Sequence, residues 1–335
     1  MSSSQQVMLM EPLVKVVELK KWFPVRGGIT SLFGKRQYVK AVDGVSFEIS
    51  DGEIFGLAGE SGCGKTTTGK TILRLIEPTS GEVYFKGENV FELDEERLRK
   101  LRKKMQIIFQ DPYESLSPRM TVLDIIAEPI RVHKLASSYD ECKEMVAEAL
   151  EEVELVPPEE FMLRYPHELS GGQRQRVAIA RALVLNPEFI VADEPVSMLD
   201  VSIRAGILSL MLRLREQFGI SYLFITHDLA IARHMCDRLA VMYLGKIVEM
   251  GSTEELIRDP IHPYTKALIA AVPVPDPTAE KSKVMISGEV PSALNPPSGC
   301  RFHPRCPYAM EICRKEEPEL VKVDGGRKVA CHLVS

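Results

Sequence analysis

Residues Gly59-Glu60-Ser61-Gly62-Cys63-Gly64-Lys65-Thr66 fit the pattern G-x-x-x-x-G-K-[ST], followed by Thr67. Glycines let a backbone curl around an anion so that successive N–H groups point at it, and a helix N-terminus just behind adds positive potential. In such a loop Lys65 reaches the β- and γ-phosphates of a nucleotide, and the Thr66 hydroxyl ligates Mg²⁺. A second group lies downstream. The apolar run Phe189 to Ala192 leads into Asp193-Glu194, and a carboxylate at the end of a buried strand sits at the crevice edge where ligands bind. Asp193 is the expected Mg²⁺ partner. Glu194 is the expected general base or water-positioning group. A third segment, Leu169-Ser170-Gly171-Gly172-Gln173, precedes the helical stretch RQRVAIARALVLN (174–186). Ser170 is a good N-cap, and the two glycines leave amides bare, which makes a second anion-binding helix start.

These segments need a scaffold of strands and helices. VKVVELK (14–20), VSFEI (45–49), EIFGLAG (53–59), EVYFKG (82–87), QIIFQ (106–110), FIVAD (189–193), SYLFIT (221–226) and LAVMYLG (239–245) read as strands. Helices are expected over 65–76, 139–156 and 202–217. Such interleaving predicts a layered α/β fold whose most apolar strands form a buried parallel sheet, with EVYFKGE in an antiparallel hairpin. The Pro- and charge-rich run VPVPDPTAEKSK (272–283) reads as a linker, as does PSALNPPSG (291–299).

Composition narrows the classes. The 335 residues carry 42 Lys and Arg against 47 Asp and Glu, a formal charge of −5, with 45% hydrophobic and 27% charged residues. That is ordinary for a globular chain of roughly two domains. It lacks the dense basic face of a protein that coats nucleic acid, so no nucleic-acid partner is expected. No apolar run reaches the roughly 18 residues of a membrane span, and MSSSQQVMLMEP does not read as a signal peptide, which predicts a cytoplasmic chain. Four of the seven cysteines are spaced Cys300-x5-Cys306-x6-Cys313-x17-Cys331. Disulfides are disfavoured in a reducing cytosol, so this spacing predicts a metal site. Zinc ribbons use tighter pairs, and the wider loops favour a 4Fe–4S cluster on four thiolates, with zinc as the alternative and His303 and His332 as neighbours.

LSGGQ, lying between GESGCGKT and FIVADE, resembles the signature of ATP-binding cassette (ABC) ATPases. Gln110 then resembles the Q-loop glutamine, Ser197-Met198-Leu199-Asp200 the D-loop (with Met198 where alanine is usual), and His227 the switch histidine. Phe23 resembles the aromatic that stacks on adenine, with Trp22 and Tyr38 as rivals. The stretch His262-Pro263-Tyr264-Thr265-Lys266-Ala267-Leu268 and the Cys-rich tail resemble the C-terminal extension of oligopeptide and dipeptide transporter ATPases. KKWFPVRGG (20–28) and KAVDGVSFEI (40–49) resemble that group's second ATPase subunit.

The resemblance implies an ABC nucleotide-binding domain over 12–260 with an antiparallel β subdomain and a helical signature subdomain. A Cys-rich extension over 261–335 would follow. It implies ATP hydrolysis with Mg²⁺ held by Thr66, Gln110 and Asp193. Ser170, Gly171, Gly172 and Gln173 would act on the ATP of a second, homologous ATPase subunit, and Asp200 would communicate across the dimer seam. Two permease subunits, a groove for them near DPYESLSPRMTVLDII (111–126), a solute-binding protein outside and a peripheral place on the cytoplasmic membrane face complete the implied assembly. Peptides are the first expected cargo and oligosaccharides the second. A soluble ABC ATPase is a lower alternative, disfavoured because the span between GESGCGKT and LSGGQ carries no heptads and the chain holds one cassette.

Overall fold

The computed structural model describes residues 11–25, 37–271 and 288–334. The 272–283 linker and the first ten residues lie outside them. Strand β1 (Val14–Pro24) buries Val14, Val16 and Leu19 on one face. A bulge at Glu18, whose φ is +45°, brings Leu19 back to that face. β1 pairs antiparallel along its length with β2 (Tyr38–Ile49), from Val14 opposite Ile49 to Pro24 opposite Tyr38. β3 (Ile54–Ala58) and α1 (Lys65–Ile72) follow, then β4 (Ser80–Phe85) and β5 (Glu88–Asn89). The small sheet runs β2-β1-β4-β5, with EVYFKG antiparallel as expected.

The chain continues through α2 (Glu95–Leu101), β6 (Met105–Ile108), α3 (Pro112–Ser115), α4 (Val122–Val132), α5 (Tyr139–Glu152), α6 (Pro158–Met162) and α7 (Gly171–Leu183). Next come β7 (Phe189–Asp193), α8 (Val201–Phe218), β8 (Ser221–Thr226), α9 (Leu229–Met235), β9 (Arg238–Tyr243), β10 (Lys246–Ser252), α10 (Thr253–Arg258) and α11 (Pro263–Ala270). The tail adds α12 (Glu311–Lys315), β11 (Val321–Lys322) and β12 (Lys328–Val329). The large sheet runs β11-β12-β10-β9-β3-β8-β7-β6, and β9, β3, β8, β7 and β6 are parallel. Every residue of β3, β7 and β8 is buried, as their unbroken apolar runs require.

Two apolar cores flank this sheet. One joins the small sheet to α1 and the central strands, with Phe47 stacked on Phe55 at 4.9 Å. The other lies under α4, α5, α7 and α8 and continues to Tyr243, Tyr264 and Phe302. The tail is therefore packed on the same core, and Lys328–Val329 pair with Met250 and Glu249 of β10. No helix among the described residues is long and apolar enough to cross a membrane.

Candidate functional site

The parallel strand β3 delivers the chain to the phosphate loop, and α1 leaves it, so the loop sits at the carboxyl end of the sheet. Its tightest point is Gly64, at φ +110°, where a Cβ would lie 2.0 Å from the Ala41 carbonyl oxygen. Only glycine fits there. Lys65 is buried, and its Nζ donates to the Gly59 and Glu60 carbonyls at 2.8 and 3.1 Å. Cys63 turns inward instead. Burial pushes its thiol up.

A cavity of about 590 Å³ opens over the loop. Gly59, Glu60, Ser61, Gly62, Gly64, Lys65, Thr66 and Thr67 line it, together with Gln110, Glu194 and His227. Three segments far apart in the sequence thus converge on one cavity. Asp193 lies at the end of β7, and its Oδ1 accepts from Thr66 Oγ1 at 2.8 Å. Burial raises the Asp193 carboxyl above its ordinary value. A hydroxyl and a carboxylate are hard oxygen donors suited to Mg²⁺, which keeps waters and phosphate oxygens as its other ligands.

Glu194 follows in a left-handed conformation, φ +46°. That is a strained backbone for a non-glycine residue, of a kind found at functional sites. Its amide is anchored to the Ile225 carbonyl at 3.0 Å. Its Oε2 accepts from Gln110 Nε2 at 3.2 Å and lies 3.0 Å from His227 Nδ1. A carboxylate only accepts, so Nδ1 carries the hydrogen in this contact. Gln110 sits in the loop two residues past the end of β6 rather than on the strand itself. The loop position frees its side chain to reach across to Glu194.

The LSGGQ segment does not line this cavity. Ser170 caps α7 by accepting from the Gln173 amide at 3.3 Å, while Gln173 Oε1 accepts from the Ser170 amide at 2.9 Å. Ser170 is exposed. A Cβ on Gly172 would come within 2.6 Å of Ile203 Cγ2, so this glycine sets how closely α7 approaches α8. Beside it Met198, Asp200 and Val201 are exposed, the two apolar side chains at 62% and 78%. Phe23 is half-buried, with the Lys21 ammonium 4.8 Å from its ring, and does not line the cavity. Trp22 is drawn away by donating to Asp43 Oδ1 at 2.9 Å.

The tail corrects one expectation. Among the described residues no three His, Cys, Asp or Glu side chains form a group that could hold a metal ion. Neither a 4Fe–4S cluster nor zinc is therefore supported on Cys300, Cys306, Cys313 and Cys331. Burial raises the Cys300 thiol to about 11 and also raises Cys306 and Cys331. His303 and His332 instead contact the backbone carbonyls of Cys300 and Glu316. Phe302, the β12–β10 pairing and two arginines hold the tail in place.

Sequence reasoning did not place the residues that reach the loop from behind. Tyr264 Oη accepts from the Glu60 amide at 3.0 Å, Arg305 pairs with the Glu60 carboxylate, and Leu268 lines the cavity. The only sequence signal was the motif around Tyr264, which carried no assignment to the loop.

The chain matches the family described as "ABC transporter" over residues 42–197 and that described as "Oligopeptide/dipeptide transporter, C-terminal region" over 248–313. The oligopeptide transport ATP-binding protein AppF of Bacillus subtilis is 50% identical, covering 97% of this chain and 98% of its own. The dipeptide transport ATP-binding protein DppF of Haemophilus influenzae is 48% identical, covering 96% of each. A dimeric ATP-binding cassette in a post-hydrolysis state, bound to ADP and Pi, superposes with a TM-score of 0.62 at 33% identity, covering 72% of this chain and 98% of its own. The chain belongs to the ABC transporter family, among the ATP-binding proteins of oligopeptide and dipeptide transporters.

Proposed function

We propose that this chain hydrolyses ATP to energise the uptake of di- and oligopeptides through a membrane permease. The observation that carries the proposal is the convergence of Lys65, Thr66, Gln110, Glu194 and His227 on one cavity. It occurs in a chain half identical, nearly end to end, to an oligopeptide transport ATP-binding protein.

In this reading the loop amides and Lys65 bind the phosphates, with Lys65 leaving the Gly59 and Glu60 carbonyls to do so. Mg²⁺, when bound, supplies positive charge that offsets the phosphate oxygens. Thr66 and Asp193, with Gln110 as a third candidate, would hold it. Glu194 takes the proton of the attacking water. Gln110 and His227 hold its carboxylate in place from two sides, and His227 contacts the γ-phosphate. Phe23 stacks on the adenine.

The exposed, capped start of α7 supports a head-to-tail pairing. In that pairing Ser170, Gly171, Gly172 and Gln173 face the ATP of a homologous second subunit, and Asp200 lies at the seam. Residues 12–260 then form the nucleotide-binding unit and 261–335 its extension. The stretch 111–126, with Tyr113 60% exposed, offers a face for two permease subunits on the cytoplasmic side. A solute-binding protein delivers peptide from outside.

The test is ATP hydrolysis by the complex reconstituted with its permease in liposomes. Hydrolysis is expected to rise when peptide-loaded binding protein is added, and Lys65→Ala should abolish that rise. A rate indifferent to peptide and to Lys65→Ala would overturn the reading.

A further inference from the structure

The tail grips the second residue of the phosphate loop. Arg305 Nη1 and Nη2 donate to Glu60 Oε2 and Oε1 at 2.9 and 3.1 Å, a two-pronged pair. The Arg305 side chain is 9% exposed and that of Glu60 26%. Arg305 also lies against Tyr243, with Nη1 3.4 Å from its hydroxyl. From the other side, the fully buried Tyr264 accepts the Glu60 amide hydrogen. Tyr264 is itself fixed by Tyr243 at 4.6 Å and Phe302 at 5.4 Å between ring centroids. Both the backbone and the side chain of Glu60 are therefore committed to groups more than 200 residues further along.

The chemistry of this arrangement is specific. Glu60 lines the cavity in which a polyanion would bind, so its carboxylate would repel that polyanion. Arg305 neutralises the carboxylate and fixes where it points. The Tyr264 contact anchors the Glu60 amide, and with it the start of the loop, so that the amides that follow are held in place for the phosphates. We propose that Arg305 and Tyr264 are positioning residues through which the C-terminal tail sets the affinity of the phosphate loop for ATP. This rests on reading Gly59–Thr66 as the ATP site.

The test measures binding of a fluorescent ATP analogue with Mg²⁺ to the full-length chain. Arg305→Ala uncovers the Glu60 charge beside the triphosphate and should weaken binding roughly five- to tenfold. Arg305→Lys keeps the charge but loses the fork and should weaken it less. Tyr264→Phe removes one oxygen and keeps the ring, and should weaken binding roughly two- to fivefold. The decisive variant adds Glu60→Gln to Arg305→Ala. With the uncompensated carboxylate gone, binding should return to within about twofold of the parent chain, whereas general damage to the tail would not be rescued from the loop. Turnover at saturating ATP in the assembled transporter should change less than the ATP concentration at half-maximal rate.

Unchanged binding in both Arg305→Ala and Tyr264→Phe would overturn the proposal, as would failure of Glu60→Gln to rescue. If instead the parent chain and Lys65→Ala bind the analogue equally poorly, the ATP-site reading itself is wrong and the proposal falls with it.

Discussion

Arg301 and Asp43 form an ion pair whose side chains are 7% and 8% exposed, joining the tail to β2. Arg301 also donates to the Leu244 carbonyl, and Asp43 accepts from Trp22. Arg301→Met removes the charge and keeps most of the volume, leaving a buried carboxylate with weakened compensation. Breaking such a pair costs about 3–5 kcal/mol. At roughly 1.4 °C per kcal/mol for a chain of this size, melting should fall by roughly 4–7 °C at pH 7.

The pH dependence has a definite sign. Burial alone would raise the Asp43 carboxyl, but Arg301, helped by Lys246 and Lys40, outweighs it and holds the group below its ordinary 3.8. A carboxyl lowered on folding contributes stability above its unfolded value and loses it as pH falls through the folded one. The gap between parent and variant should be full at pH 7 and shrink below about pH 4. Circular dichroism melts across that range measure both effects. Asp43→Asn combined with Arg301→Met should recover most of the loss, because no buried charge remains. A single variant melting within about 2 °C of the parent at pH 7, or a double variant melting lower than the single, would refute the reasoning.

Three further outcomes follow from the site. Gly64→Ala places a methyl 2.0 Å from the Ala41 carbonyl and should abolish ATP binding in a fluorescence titration while the remaining fold still melts cooperatively. Gly172→Ala drives a methyl to 2.6 Å from Ile203 and should destabilise the chain by about 1–3 kcal/mol in a urea titration, with Ile203→Ala in the same chain recovering part of it. His227→Ala removes one of the two contacts on the Glu194 carboxylate and should lower turnover about 10- to 100-fold while weakening ATP binding far less, measured by phosphate release and equilibrium binding.

Much of this architecture was legible because it is local. Unbroken apolar runs marked β3, β7 and β8, and the glycine pattern before Lys65 placed the loop between β3 and α1. Element ends were less legible. The helix expected over 65–76 stops at Ile72, with Arg74 turning the chain at φ +48°, and that over 139–156 stops at Glu152 before Glu154 at φ +60°. β2 starts at Tyr38 rather than Val45 because its partner β1 runs to Pro24, and pairing of two strands overrides the local preference of each. β10 was not anticipated. It is paired to β9 through Leu244 at φ +42° and Gly245 at φ +82°.

The tail was misread for a related reason. Spacing between cysteines counts residues along the chain and does not fix how their side chains are arranged in the fold, where no group of three metal-ligating side chains forms among the described residues. Arg301 and Arg305 gave no signal at all. Their partners Asp43 and Glu60 lie 258 and 245 residues away, and only the folded chain brings them together.

The account turns on Glu194 activating water for ATP cleavage in this chain. Peptide uptake by proteoliposomes carrying the whole transporter, with Glu194→Gln in this subunit alone, tests that most directly. The expected result is full ATP binding with phosphate release and peptide uptake reduced at least about 100-fold. Uptake and phosphate release at the parent rate would contradict it.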